Sequence, residues 1–157
     1  MQLTTFTDYS LRVLMYLAAR PGQRATAAQV ADAFGISQHH VVKVVHFLGK
    51  AGWLDNVRGK GGGLALARPA SRINIADVVR DAEGEARLAA CFDDRTAEGE
   101  CPLTPVCKLR GVLGDALAAF HAVLARYTLE DVVRNREEVA AILFMPQPRR
   151  EPLRKVA

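Results

Sequence analysis

Residues 26–67 read TAAQVADAFGISQHHVVKVVHFLGKAGWLDNVRGKGGGLALA, and this stretch decides the fold. Thr26-Ala27-Ala28-Gln29 is a capping box, in which the threonine accepts from the main chain three residues on and the glutamine reaches back. It predicts a short helix ending near Phe34. Gly35-Ile36-Ser37 makes a tight turn, and Ser37 suits the N-cap of a second helix running from Gln38 to about Ala51. Two helices joined by a glycine-containing turn are a helix-turn-helix. Two strand-length segments follow, Trp53–Val57 and Leu64–Ala67, around the tip Arg58-Gly59-Lys60-Gly61-Gly62-Gly63. Glycine there permits positive φ and close backbone approach. A helix-turn-helix followed by a hairpin is a winged helix. The glycine-rich tip lacks GxxxxGK[ST] and lies between strands, so it reads as a wing and not as a nucleotide loop.

Upstream, Thr5-Phe6-Thr7-Asp8 resembles a capping box and opens a helix with apolar positions Phe6, Val13, Leu14 and Leu17; Pro21-Gly22 ends it. Downstream, Ile75 to about Ala82 reads as a fourth helix. Residues 83–105 are a loop rich in charge, glycine and proline. A long helix is expected from about Val106 to Tyr127, where Leu109, Leu113, Ala116, Phe120, Val123 and Tyr127 alternate spacings of four and three. That seam, beside a domain already complete without it, favours a dimer interface. Thr128-Leu129-Glu130-Asp131 opens a last helix to about Phe144. The predicted organisation is a DNA-binding domain over 1–82, a cysteine loop over 83–105, dimerisation helices over 106–145 and a disordered basic tail over 146–157. The fold class is mainly α: a winged helix-turn-helix with a two-stranded β-wing and a long C-terminal dimerisation helix.

Charge is unevenly spread. Residues 1–80 carry a net +6 and residues 81–157 a net −2, so a polyanion partner is expected for the front half alone. The first residues of the second helix of a helix-turn-helix meet base edges in the major groove. Gln38, His39 and His40 hold the needed donors and acceptors; Lys43 and Lys50 suit phosphates. Arg58 and Lys60, with Gly61 and Gly62 removing bulk, suit a phosphate track or the narrow minor groove. His46 and His121 carry no specific signal. Double-stranded DNA is the expected partner, read by a two-fold dimer at half-sites roughly 34 Å apart.

The chain has three cysteines, Cys91, Cys101 and Cys107, all within or bordering the loop. Thiols clustered in the least core-like segment point to a metal, iron–sulfur or redox sensor. An odd count disfavours a closed disulfide framework. No apolar run approaches the ~20 residues that span a bilayer, and no secretory signal is apparent at the N-terminus, so a cytoplasmic location is expected. No acid–base pair or substrate domain supports an enzyme.

The segments MQLTTFTDYSLRVLMYLA, HHVVKVVHFLGKAGWL, VRGKGGGLALARPASRINIADVVR and CPLTPVCKL together resemble the Rrf2 family of bacterial winged-helix regulators, over about residues 1–145. Within it, the resemblance is to nitric-oxide-sensing repressors. It implies that Cys91, Cys101 and Cys107 are thiolate ligands of an iron–sulfur cluster, 4Fe–4S with 2Fe–2S as the alternative. It also implies that Asp8, donated by the other subunit, is the fourth ligand, and that nitric oxide is the effector. Cluster-assembly regulators of the family place a His three residues after the third cysteine, where this chain has Arg110, which cannot deprotonate to ligate. A zinc site or thiol switch also fits three cysteines, although paired CxxC knuckles are absent.

Overall fold

A computed structural model describes residues 2–57, 59, 62–84 and 101–144. Among them the chain forms α1 (Thr5–Ala19), α2 (Ala27–Phe34), α3 (Gln38–Lys50), β1 (Leu54–Val57), β2 (Gly63–Leu66), α4 (Ile75–Glu83), α5 (Lys108–Leu124), α6 (Leu129–Val132) and α7 (Arg136–Phe144). Short 3-10 turns at Ala70–Arg72 and Thr104–Val106 precede α4 and α5.

Helix α1 is central, packing on α2, α3, α4, α6, α7 and β2. Its Val13 and Leu14 are fully buried, against Val41, Val44 and Leu48 of α3 and Val78 and Val79 of α4 in one core. A helix surrounded on so many sides also buries polar groups, and these find partners, as burial requires. The Ser10 hydroxyl donates to the Phe6 carbonyl at 2.8 Å, and the Thr7 main-chain N–H donates to Thr4 Oγ1 at 3.2 Å. The N-cap is therefore Thr4, one residue before the expected Thr5.

The reciprocal capping box of Thr26 and Gln29 opens α2 as the sequence predicts, and Gly35 closes it in the left-handed region at φ 63°. Ser37 occupies the N-cap of α3, but its side chain makes no capping bond. Strands β1 and β2 pair antiparallel, with Leu54 opposite Leu66 and Val57 opposite Gly63. Trp53 is buried just before β1. Its indole N–H donates to Asp81 Oδ2 of α4 at 2.8 Å, and the Arg68 guanidinium lies 4.8 Å over the ring.

Two expectations are corrected downstream. The long helix starts at Lys108 and ends at Leu124, since Thr104-Pro105-Val106 forms a separate turn before it. The last helix is two. Val133, fully buried, leaves helical geometry at φ −108°, ψ 29°, and α7 restarts at Arg136. That break lets α6 anchor Leu129 and Val133 in the core while α7 lays Phe144 on Tyr16, ring centroids 4.9 Å apart. The expected basic tail, 146–157, lies outside the described residues. No described helix is long and apolar enough to cross a membrane.

Candidate nucleic-acid interface and cysteine site

Helix α3 is amphipathic. Val41, Val44, Val45 and Leu48 are buried, while Gln38, His39, Val42, Lys43, His46 and Lys50 are exposed along the opposite side. Residues 38, 42, 46 and 50 form one i, i+4 ridge, with 39 and 43 beside it. Five predicted DNA-facing residues (Gln38, His39, His40, Lys43, Lys50) are thus exposed on one helix. His40 sits on its flank, its ring centroid 6.1 Å from that of Tyr9 on α1.

Two residues on the ridge were not singled out by sequence. His46 lies between Val42 and Lys50 and is exposed. Val42 is 49% exposed, an apolar group in the middle of a polar face and chemically suited to a thymine methyl. The signal was the four-residue spacing from Gln38; the run VVKVV hid it, because every valine in it reads as core.

At the wing tip, Arg58, Lys60 and Gly61 lie outside the described residues. Gly62 is described, and it closes the turn: its N–H donates to the Gly59 carbonyl at 2.9 Å. A Cβ at Gly62 would collide with the Val57 carbonyl oxygen. The turn itself therefore demands glycine at 62, in addition to any need for thinness against DNA.

Cys101 is exposed and Cys107 half-buried, and both are free thiols. Cys107 occupies the N-cap of α5, yet its side chain makes no capping bond, so the sulfur is not used by the helix. Cys91 lies outside the described residues. Asp8, in the first turn of α1, is gripped in two-pronged fashion by Arg12: Nε to Oδ1 at 3.0 Å and Nη2 to Oδ2 at 2.9 Å. Among the described residues no three His, Cys, Asp or Glu side chains converge as a metal site, so Asp8 does not join Cys101 and Cys107 within one protomer. The donor set still suits the implied group, because free, soft thiols are what iron–sulfur clusters take. A carboxylate held 45% exposed on α1 remains accessible to a second copy of the chain.

The remaining exposed apolar surface is concentrated on α5 and its approach. Leu103, Val106, Leu109 and Val112 are 61–75% exposed, and Val123 and Tyr127 about half. Phe120 and Leu124 pack instead on the protomer's own core. The end of α5 is fixed to that core: the Asn74 side-chain amide donates to Ala125 O at 2.8 Å, and Ile75 N donates to Tyr127 O at 3.0 Å.

The profile of the Rrf2 family, described as iron-dependent transcriptional regulators, matches residues 3–135. The chain belongs to the Rrf2 family. It is 44% identical to the HTH-type transcriptional regulator NsrR of Bacillus subtilis (strain 168) over 148 residues, 94% of this chain and all of that protein. NsrR of Shouchella clausii is 45% identical over 144 residues, covering 91% and 95%. Among solved Rrf2-type structures, CymR, described as the global cysteine regulator of B. subtilis, superposes with a TM-score of 0.64 at 25% identity, covering 86% of this chain and 98% of that one. T. potens IscR shares the fold, with a TM-score of 0.70 at 23% identity and 94% of each chain covered. This Rrf2 chain is a DNA-binding transcriptional regulator, and its relatives are named as regulators and not as enzymes.

Proposed function

We propose that the chain is a homodimeric repressor that holds promoter DNA while an iron–sulfur cluster, of the 4Fe–4S type, is bound, and lets go when that cluster meets nitric oxide. Cys91, Cys101 and Cys107 hold the cluster, and Asp8 of a second copy completes it. When bound, the cluster would supply an iron–sulfur centre able to react with a small diatomic gas. The observation that carries this reading is the presence of two free thiols, Cys101 and Cys107, leading into α5, together with a half-exposed Asp8 that forms no metal-ligand group with them among the described residues. Similarity to NsrR over nearly the whole chain supports it.

The chain's own residues then couple the two sites. Asp8 either faces the second copy or returns to Arg12, and that choice acts on α1. Helix α1 touches α3 through Phe6 and Phe47, ring centroids 5.1 Å apart, and through Tyr9 and His40. A change in the seat of α1 is therefore felt by the recognition helix. A tenfold change in DNA affinity requires only ~1.4 kcal/mol of differential binding.

Native mass spectrometry of protein purified without oxygen, followed by a DNA-binding titration with nitric oxide, tests the proposal. A dimer with a 4Fe–4S cluster per subunit whose DNA affinity falls with the gas supports it. A 2Fe–2S cluster would move the reading to a redox or iron-status regulator. Zinc, or tight sequence-specific binding by metal-free protein, would remove the sensor chemistry and leave the DNA-binding role.

A further inference from the structure

The root of the wing is held by a residue that belongs neither to the recognition helix nor to the wing. Arg24 lies in the connector between α1 and α2. Its Nη2 donates to Asp55 Oδ2 at 2.8 Å, and its Nη1 donates to the Gly63 carbonyl at 3.1 Å. Asp55 is on β1 and Gly63 on β2, so one guanidinium clasps both strands. Beside it, Ala25 and Leu64 exchange both main-chain bonds, at 3.0 and 2.7 Å. Glycine at 63 admits this approach. Its φ is +143°, and a Cβ there would stand 3.0 Å from Ala25 O and 3.1 Å from Arg24 Cβ.

A two-stranded hairpin is marginal on its own, and a glycine-rich tip has few side chains with which to fix its own direction. The aim of the tip relative to α3 must be set at the root. We propose that Arg24 is a wing-positioning residue: by clasping Asp55 and the Gly63 carbonyl it sets the angle at which the tip meets DNA, without touching DNA itself. The inference rests on the wing being a DNA-contacting element.

The clasp is a surface feature, with Arg24 35% and Asp55 53% exposed. Such pairs contribute little to folding, so its loss is read in DNA binding and not in the melting temperature. Deleting Arg24 alone would not separate positioning from direct phosphate contact. Asp55 does. Removing a carboxylate beside DNA ordinarily strengthens binding, because like-charge repulsion is relieved. If Asp55 is the handle through which Arg24 works, its removal weakens binding instead.

The experiment is fluorescence anisotropy with the full-length protein, purified without oxygen, on a labelled duplex that the wild type selects from a randomised pool. Arg24→Ala and Asp55→Ala should each weaken binding about three- to tenfold, as the loss of one or two phosphate contacts would. The double variant should be no worse than the poorer single one, because the two act as a unit. Arg24→Lys, able to reach one strand at a time, should fall between. Arg24→Ala should add nothing once Arg58→Ala/Lys60→Ala has disabled the tip. Tighter binding by Asp55→Ala, or a full Arg24→Ala effect in the tip-disabled protein, would overturn the inference while sparing the wing. If the tip variant binds as wild type does, the wing reading fails and the inference falls with it.

Discussion

Asp8 is the residue at which a helix role and the proposed sensor role meet. Its carboxylate lies in the first turn of α1, where negative charge is favoured, and its partner Arg12 is one helical turn on. Both are about two-fifths exposed, so the pair contributes on the order of 0–1 kcal/mol to folding. Asp8→Ala should therefore melt within a few degrees of wild type, yet lose iron faster under air, followed by the decay of cluster absorbance. Unchanged cluster lifetime and nitric-oxide response would reduce Asp8 to a helix residue. The bond to Arg12 was legible from the four-residue spacing alone. The exposure of Val42 was harder to read, because four valines in five residues mask the one whose spacing from Gln38 puts it on the ridge.

At the scale of elements, the helix starts were legible where capping boxes wrote them. Thr26 and Gln29 satisfy each other as their spacing predicts, with Gln29 N donating to Thr26 Oγ1 at 3.2 Å and Thr26 N donating to Gln29 Oε1 at 2.8 Å. Thr26→Ala should cost roughly 1 kcal/mol, measured as a lower urea midpoint with an unchanged slope. At α1 the cap moved to Thr4, because Thr4 and Thr5 are adjacent and sequence cannot choose between them. The break at Val133 was missed for a different reason: Asn135 with Glu138 three residues on is a helix-start signal, its amide donating to Glu138 Oε2 at 3.1 Å, but no glycine or proline in LEDVVRNREEV marks the stop before it. The second capping box, Thr128 with Asp131, adds a pH dependence. The Thr128 main-chain N–H, with its hydroxyl and Arg134, holds the Asp131 carboxyl below its ordinary value. A carboxylate depressed in the folded state contributes stability that is present at neutral pH and lost as pH falls through its folded value. Asp131→Asn should flatten the acid limb of the stability curve, seen in melts taken across the carboxylate range.

For the whole molecule, the sequence pattern put a seam on α5, and the fold divides it. Of the seam, Phe120 faces home beside Leu124, whereas Leu109, Val123 and Tyr127 are left in water, next to an exposed Val112 outside the pattern. Large residues exposed in a row are costly unless another surface covers them. Leu109→Glu with Val112→Glu should halve the mass seen by light scattering and leave the melting of the protomer nearly unchanged, since neither side chain packs in its own core. A dimer that persists would place the interface elsewhere. The winged architecture was legible because its parts are local: a turn, two caps and a glycine-rich hairpin. The cysteine site is read only as a list of residues, because Cys91 lies outside the described residues and no metal-ligand group forms among those described.

The single tryptophan makes the chain a reporter on itself. Trp53 is shielded from water and tethered to Asp81, three residues before Gly84 and the segment that leads to the cysteines. Its emission should therefore be blue-shifted at rest. Any rearrangement that pulls the end of α4 from the indole should shift the emission red and increase its quenching by acrylamide. A stopped-flow fluorimeter could then time the conformational step against DNA release with no dye attached, and an emission that stays fixed while DNA leaves would show that the end of α4 does not move.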